Sequence, residues 1–136
     1  MKRFATANWK GPGKEGIGTV STETGIVSQA NLTFRSRFED GAGTNPEELV
    51  AAAHAGCFSM KLSFVLNASG FTAENIDTKC SITLMDGAIT ESHLEVKATV
   101  PGLDDEKFQV IAKEAKANCP VSKLLNANIT MDAVLA

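Results

Sequence analysis

The cysteines are the residues of this chain best suited to chemistry, and there are three of them, at positions 57, 80 and 119. A number this small, and odd, does not fit the disulfide framework of a secreted protein. Cys57 and Cys119 stand 62 positions apart, and no CxxC or HxxxH pattern accompanies them. The spacing therefore argues against a zinc site and leaves buried and reactive thiols as the alternatives.

The three cysteines differ in their sequence surroundings. Cys80 stands in the apolar row of a predicted strand, a position typical of a small core side chain. Cys57 follows Gly56 inside a predicted helix, and Cys119 lies between a helix end and Pro120. For Cys57 the residues alone leave two alternatives open, a buried core cysteine and a functional thiol.

A functional thiol requires a group that favours the thiolate. An unperturbed thiol, with a pKa of about 8.5, is only a few per cent ionised at neutral pH, and a nearby arginine lowers that pKa. The candidates are Arg35 and Arg37, which share the polar face of a predicted strand over residues 32–38. Glu47 or Glu48 could orient such an arginine through a bidentate ion pair. Solvated surface charges for the arginines, and helix capping for Glu48, are the alternative interpretations.

The helix that carries the first cysteine has a clear predicted start. Asn45 can cap it, Pro46 suits its first position, and Glu48 stands where a capping-box carboxylate would reach back. Over residues 49–58, apolar and small side chains occupy every face. We therefore expect the helix to be enclosed, either within the fold or within an oligomer. A turn over residues 67–70 ends it.

The other predicted elements complete an α+β fold with mainly antiparallel pairing. A second helix places its apolar side chains on one stripe, and a hairpin turn joins two longer strands. In chain order, these elements are short strands at residues 5–9, 19–22, 25–27 and 32–38, the hairpin with its turn at 85–88, the helix from Asp104 or Asp105, a short helix at 120–125 and a strand at 129–135.

Length and composition bound the class of protein. A chain of 136 residues predicts one domain, residues 1–136, and 43% hydrophobic with 21% charged residues excludes intrinsic disorder. A net charge of −3 gives no basic footprint for nucleic acid or an anionic membrane. The first ten residues lack the apolar run of a signal peptide, and the apolar stretch 49–66 is interrupted by His54 and Lys61. We expect a cytoplasmic protein with neither a nucleic-acid nor a membrane partner.

Two separated blocks of the sequence, each with a cysteine, resemble the OsmC/Ohr family of thiol peroxidases, and its OsmC (osmotically inducible protein C) group in particular. The first block comprises RFE at residues 37–39, GTNPEEL at 43–49 and AAHAGCFSM at 52–60. The second is ANCPVS at residues 117–122. The resemblance extends over nearly the whole chain, from Trp9 to the closing strand.

The resemblance implies a cysteine-based peroxidase that reduces organic hydroperoxides, and also hydrogen peroxide, with a dithiol as reductant. Cys57 would be the peroxidatic cysteine and Cys119 the resolving one, joined in a disulfide during turnover. Arg37 would stabilise the thiolate, positioned by Glu47, and no metal or organic cofactor would be needed. Cys80 matches no motif and receives no role. The implied fold is an intertwined homodimer in which β-sheets of both chains wrap two central helices.

Helix geometry adds an expectation about the arginine. Glu47 and Cys57 are ten residues apart, which in a straight helix is roughly 15 Å along the axis and about 80° around it. An arginine oriented by Glu47 would then not touch Cys57 of the same chain. We predict that Arg37 and Glu47 serve Cys57 of the partner subunit.

Two alternatives from other functional classes stay open. One is an OsmC-like protein that binds a small apolar or thiol-reactive ligand, as a carrier or redox sensor without peroxidase turnover. The other is a cysteine hydrolase with His54 or His93 as base, which leaves Cys119 unexplained. We interpret His54 as a packed or hydrogen-bonded core histidine, and Lys61 as a surface residue that could add positive potential near Cys57.

Overall fold

The computed structural model describes all residues from Met1 to Ala136 and has six strands and four helices. The chain divides into two compact units, residues 1–49 and 50–136, and the strands form two three-stranded sheets. This α+β architecture confirms the predicted fold class. The elements in chain order are β1 (Ala5–Lys10), β2 (Ile17–Thr22), β3 (Ala30–Leu32), α1 (Phe34–Phe38), α2 (Pro46–Ala68), β4 (Asn75–Met85), β5 (Ala88–Thr99), α3 (Asp105–Asn118), α4 (Pro120–Leu124) and β6 (Asn128–Leu135).

The first unit contains an antiparallel sheet in the order β1-β2-β3. The strand predicted at residues 25–27 is wrong, because the chain reverses there instead. Thr22 and Val27 close this turn with three bonds. The Val27 carbonyl accepts from the Thr22 N–H (2.9 Å) and hydroxyl (3.3 Å), and the Val27 N–H donates to the Thr22 hydroxyl (3.1 Å). The third strand follows the turn, at Ala30–Leu32.

The strand predicted over residues 32–38 is also wrong, since most of it is helix α1. The Thr33 hydroxyl accepts from the Ser36 N–H at 3.0 Å, and the Ser36 hydroxyl accepts from the Thr33 N–H at 2.9 Å. This reciprocal capping box fixes a helical turn. The apolar residues that alternate in sequence become an i,i+4 pair, with the Phe34 and Phe38 rings 4.9 Å apart. Arg37 therefore lies in the last turn of a short helix.

Helix α2 begins at Pro46, as predicted, and hydrogen bonds connect its first turn to α1. The Asn45 side chain caps the helix by accepting from the Glu48 N–H at 2.8 Å. The Glu48 carboxylate accepts from the Thr44 hydroxyl (3.0 Å) instead of reaching back to the capping residue. Ser36 of α1 donates its hydroxyl to the Thr44 carbonyl (2.8 Å) and accepts the Asn45 amide at its own carbonyl (3.2 Å). These bonds hold the last turn of α1 beside the first turn of α2.

The second unit contains a sheet in the order β4-β5-β6, of which β4 and β5 form the predicted hairpin. Asp86 and Gly87 make its two-residue turn with φ of 51° and 79°, the left-handed geometry of the tight turns that match strand twist. Strand β6 runs parallel to β5 and is reached through α3 and α4. The side chain of Asp104, one of the two predicted caps, caps α3 by accepting from the Lys107 N–H at 2.9 Å.

The core of the second unit is built from α2, α3 and the inner face of the sheet. Its fully buried side chains include Phe58, Leu62 and Leu66 of α2, Leu94 and Ala98 of β5, and Phe108, Ala112 and Ala115 of α3. Cys80 is half-buried and packs against this cluster, as its place on the strand predicted.

Helix α2 is buried along one face and open along another. By length and composition alone it would pass as a membrane span, a criterion that core helices also meet. Its opposite side exposes a stripe of small and apolar residues: Ala52, Ala53, Gly56, Met60 and Phe64. Met60 and Phe64 are 65% and 66% exposed. The helix predicted to be enclosed on all sides is therefore covered only in part by its own chain.

The two faces of the second sheet predict opposite responses to truncation. Leu94→Ala removes a fully buried side chain and should lower the free energy of unfolding by about 2–5 kcal/mol. Val134→Ala, at a 57% exposed site of the same sheet, should change it by no more than about 0.5 kcal/mol. Urea unfolding at one fixed protein concentration measures both, and equal losses would contradict the assigned core.

Candidate active site

Two of the three thiols lie together. The sulfurs of Cys57 and Cys119 are 3.0 Å apart, with the Cys119 thiol placed to donate to Cys57. Cys119 is fully buried and Cys57 is half-buried. Both residues are free thiols in this structure, at a separation from which a disulfide of about 2.05 Å forms by a small movement.

A junction between two helices holds Cys119 in place. Its backbone N–H donates to the Ala115 carbonyl (2.9 Å) and so ends α3, and its carbonyl accepts from the Lys123 N–H (3.1 Å) within α4. Pro120 occupies the first position of α4, where its missing N–H costs nothing. The same junction places the Val121 N–H near the Cys57 sulfur, where it lowers the pKa of that thiol.

Two opposing influences act on the Cys57 thiol. Burial raises its pKa, and the adjacent Cys119 sulfur acts in the same direction. The Val121 N–H and the positive charge of Lys61 favour the thiolate but do not outweigh burial, so the pKa of Cys57 lies above its ordinary value. Lys61 therefore lowers the pKa of Cys57, as the sequence suggested, but by less than burial raises it. A reactive thiolate here needs more positive charge than Lys61 supplies.

The first unit contains a preformed arginine–carboxylate pair. Arg37 donates to Glu47 from Nη2 (2.7 Å) and from Nε (3.1 and 3.3 Å to the two oxygens). Burial disfavours ionisation of Glu47, but the bonds from Arg37 and its own backbone N–H prevail and hold its pKa below the ordinary value. The Arg37 side chain is 38% exposed, which leaves part of its guanidinium free to meet another group.

The other two charged candidates have different partners. Arg35 lies 3.5 Å from Glu39 in an exposed i,i+4 pair, which is the surface-charge alternative and contributes little. Glu48 serves the capping region through Thr44. Of the four charged residues considered, only Arg37 and Glu47 form the bidentate pair that the sequence led us to expect.

The structure confirms His54 as a core histidine. The ring is fully buried, with Nδ1 2.6 Å from the Ser92 hydroxyl and Nε2 2.7 Å from the Ser122 hydroxyl. The Cys80 sulfur lies 3.2 Å from the same Ser92 hydroxyl. Both ring nitrogens are thus engaged with serines, which argues against His54 as a base for Cys57. Sequence reasoning missed both serines, which are separated from His54 by 38 and 68 residues.

The second histidine faces away from the thiols. His93 lies between Ser92 and Leu94, which are both fully buried on the inner face of the sheet, so its side chain is on the outer face. There it contacts the Thr130 hydroxyl at 2.6 Å and the Asp132 carboxylate at 3.2 Å. Neither histidine is hydrogen-bonded to Cys57; His54 Nδ1 lies 3.9 Å from the sulfur of Cys80 instead. No group of three or more histidine, cysteine or carboxylate side chains comes together in a way that could hold a metal ion.

Comparison with known proteins gives consistent relatives. The family model described as OsmC-like protein matches residues 39–134. The chain is 50% identical over 130 residues to Peroxiredoxin OsmC of Escherichia coli strain K12, covering 93% of this chain and 91% of that protein. It is 30% identical over 127 residues to the organic hydroperoxide resistance protein of Xanthomonas axonopodis pv. citri, covering 91% and 88% of the two chains.

Solved structures support the same fold. The OsmC-like protein of Mycoplasma pneumoniae superposes with a TM-score of 0.78 at 14% identity, covering 100% of this chain and 98% of that one. The organic hydroperoxide resistance protein OhrB of Bacillus subtilis gives a TM-score of 0.68 at 24% identity, covering 98% of both chains.

The buried imidazole predicts a specific pH dependence of stability. Burial lowers the pKa of His54, whereas the unfolded chain titrates this residue near pH ~6.5. Below that pH the unfolded state takes up a proton that the folded state does not, so the free energy of unfolding should fall by up to about 1.4 kcal/mol per pH unit until the lowered pKa is reached. His54→Gln should remove this part of the slope. Urea unfolding at several pH values measures it, and identical slopes in both proteins would contradict a neutral buried ring.

Proposed function

The chain belongs to the OsmC family, as its motifs predicted, and is a thiol peroxidase; we propose that it reduces organic hydroperoxides, and hydrogen peroxide, through Cys57 and Cys119. The observation that supports this proposal most directly is the 3.0 Å separation of the two sulfurs. The relative named a peroxiredoxin supports the reaction class, and the one named for organic hydroperoxide resistance supports the substrate class.

The proposed reaction has three steps. The Cys57 thiolate attacks the distal peroxide oxygen, the O–O bond breaks, and the alkoxide leaves as an alcohol after taking a proton, so that Cys57 becomes a sulfenic acid. The Cys119 sulfur then attacks the sulfenic sulfur, and a disulfide and one water form. Finally a small dithiol reduces the disulfide by exchange and is itself oxidised.

The order of these roles follows from exposure and hydrogen bonding. Cys57 is the more accessible sulfur, and the Val121 N–H beside it favours its thiolate. The contact from the Cys119 thiol raises the pKa of Cys57, so Cys119 is placed as the resolving sulfur and does not activate the attacking one. Cys119 is fully buried, so a peroxide reaches it less readily, and it is placed to react only with Cys57.

We propose that the missing positive charge is Arg37, held by Glu47. A bidentate carboxylate fixes the plane of a guanidinium and still leaves donors free. Helix α2 is continuous from Pro46 to Ala68, so ten residues of helix, roughly 15 Å, separate Glu47 from Cys57. This separation favours a site in which Arg37 of the partner subunit stabilises the Cys57 thiolate and the charge that develops on the peroxide oxygens.

The same proposal requires a homodimer. The exposed stripe of α2, from Ala52 to Phe64, is apolar and contains Gly56, around which a Cβ would meet nothing within 4 Å. A second copy of the same helix is a fitting cover for such a stripe, because a two-fold contact buries identical faces. A single domain over residues 1–136, a cytoplasmic location, and turnover without metal or organic cofactor stay predictions.

Treatment with one equivalent of an organic hydroperoxide distinguishes a peroxidase from a protein that only binds or senses a ligand. Reduced protein should lose two hydrogens by intact mass, and a peptide map should join Cys57 to Cys119. Cys57→Ser should consume no hydroperoxide, and Cys119→Ser should stop at the sulfenic acid. Cys80→Ser is the matched control and should still form the disulfide. Unchanged thiols in the wild-type protein would contradict the proposal.

The shared site predicts complementation between two inactive variants. Arg37→Ala should lower the rate of sulfenic acid formation about 100-fold or more. When Arg37→Ala and Cys57→Ser chains are unfolded, mixed equally and refolded, each mixed dimer contains one complete site, so about a quarter of wild-type activity should return. Each variant refolded alone is the control. If no activity returns while mixed dimers form, Arg37 serves its own chain.

A further inference from the structure

A continuous chain of four side chains runs through the second unit next to the thiol pair. It links Cys80 of β4, Ser92 of β5, His54 of α2 and Ser122 of α4 through contacts of 3.2, 2.6 and 2.7 Å. None of these residues has a role in the proposed chemistry. His54 lies one turn before Cys57, and Ser122 lies three residues after Cys119.

Ser122 is a side-chain anchor of a short helix. Helix α4 has only five residues, Pro120–Leu124, and none of them is fully buried. Val121 packs against the core while only partly buried, so α4 is held by few favourable contacts. The 2.7 Å bond to His54 attaches it to α2, while the backbone of Cys119 attaches it to α3.

The imidazole suits this anchoring role. Burial lowers the pKa of His54, so at neutral pH the ring is uncharged and has one N–H donor and one acceptor nitrogen. The two serine hydroxyls can complement either tautomer. Ser92 is fully buried in the sheet and fixes one side of the ring, so the other side presents Nε2 to Ser122 in a defined direction.

We propose that His54 is a positioning residue for the resolving step: through Ser122 it holds α4, and with it Cys119, at the distance from which Cys119 attacks the oxidised Cys57. This inference rests on the proposed peroxidase function. It assigns His54 no contact with the peroxide, so the first step, oxidation of Cys57, should not depend on it. The second step should, because a misplacement of about 1 Å can cost roughly 100-fold in rate.

Two conservative variants of His54 test its two ring nitrogens separately. The side-chain amide in His54→Gln reaches the place of Nε2 and can still bond Ser122, whereas the shorter amide in His54→Asn reaches the place of Nδ1 and Ser92 only. Ser122→Ala removes the anchor from the other end and alters only a part-buried serine of α4. Ser59→Ala is the matched control, because Ser59 lies on the same helix and bonds Thr78 of β4 at 2.7 Å without involving α4.

The test follows the two steps separately after one equivalent of an organic hydroperoxide. Loss of hydroperoxide reports the first step, and intact mass after quenching with a 1,3-diketone, which captures sulfenic acids, reports the second. We expect His54→Asn and Ser122→Ala to oxidise at a rate within about 2-fold of wild type and to form the disulfide about 10- to 100-fold more slowly. With excess hydroperoxide, their longer-lived sulfenic acid should accumulate as sulfinic acid. His54→Gln and Ser59→Ala should resemble wild type.

Three results would overturn the inference. The first is wild-type disulfide formation in Ser122→Ala and His54→Asn. The second is an equal slowing of both steps, and the third is the same slowing in Ser59→Ala, since each would mean a general loss of packing. Ser122→Ala keeps the inference testable if the His54 variants do not fold. If wild-type protein forms neither sulfenic acid nor disulfide, the proposed function itself fails, which is a different outcome.

Discussion

The contact on which the rest of the structure depends is the 3.0 Å approach of the Cys57 and Cys119 sulfurs. Two sulfurs from residues 62 positions apart meet only if a long helix and a helix junction are both rigid. Helix α2 supplies the first through the buried row Phe58, Leu62 and Leu66. The junction of α3 and α4 supplies the second, because one residue, Cys119, ends one helix and begins the next. The packing of these helices thus sets the distance between the two sulfurs on which the proposed disulfide chemistry depends.

Burial makes this geometry possible but opposes the ionisation that the chemistry requires. The environment that fixes the sulfurs also raises the pKa of Cys57, and Lys61 with the Val121 N–H offsets only part of the increase. A bidentate pair such as Arg37–Glu47 is the usual way to present a strong positive charge with little loss of side-chain freedom. If a second subunit supplies it, the thiol is activated only in the assembled dimer.

Sequence reasoning succeeded where the signal was local and failed where it was not. Asn45, Pro46 and the turn at Asp86 were read correctly because caps and tight turns depend on a few adjacent residues. The alternation around Phe34 fits a strand as well as a one-turn helix, and the capping box between Thr33 and Ser36 decided for the helix. Both partners of His54 are serines, which are common and far away in sequence, so no pattern could identify them.

In the proposed reaction, the unequal burial of the two sulfurs explains why two cysteines are needed. A sulfur accessible enough to meet a peroxide is also accessible to a second one, which would carry it to the irreversible sulfinic state. A resolving sulfur protects the first sulfur only if the disulfide forms faster than a second peroxide reacts. Disulfide formation is fastest when the two sulfurs are already in contact. Because Cys119 is fully buried, the proposed reaction has it beside Cys57, shielded from the peroxide, before Cys57 is oxidised. In the proposed mechanism, the speed of resolution therefore depends on the scaffold around Cys119, in which Ser122 of α4 bonds His54.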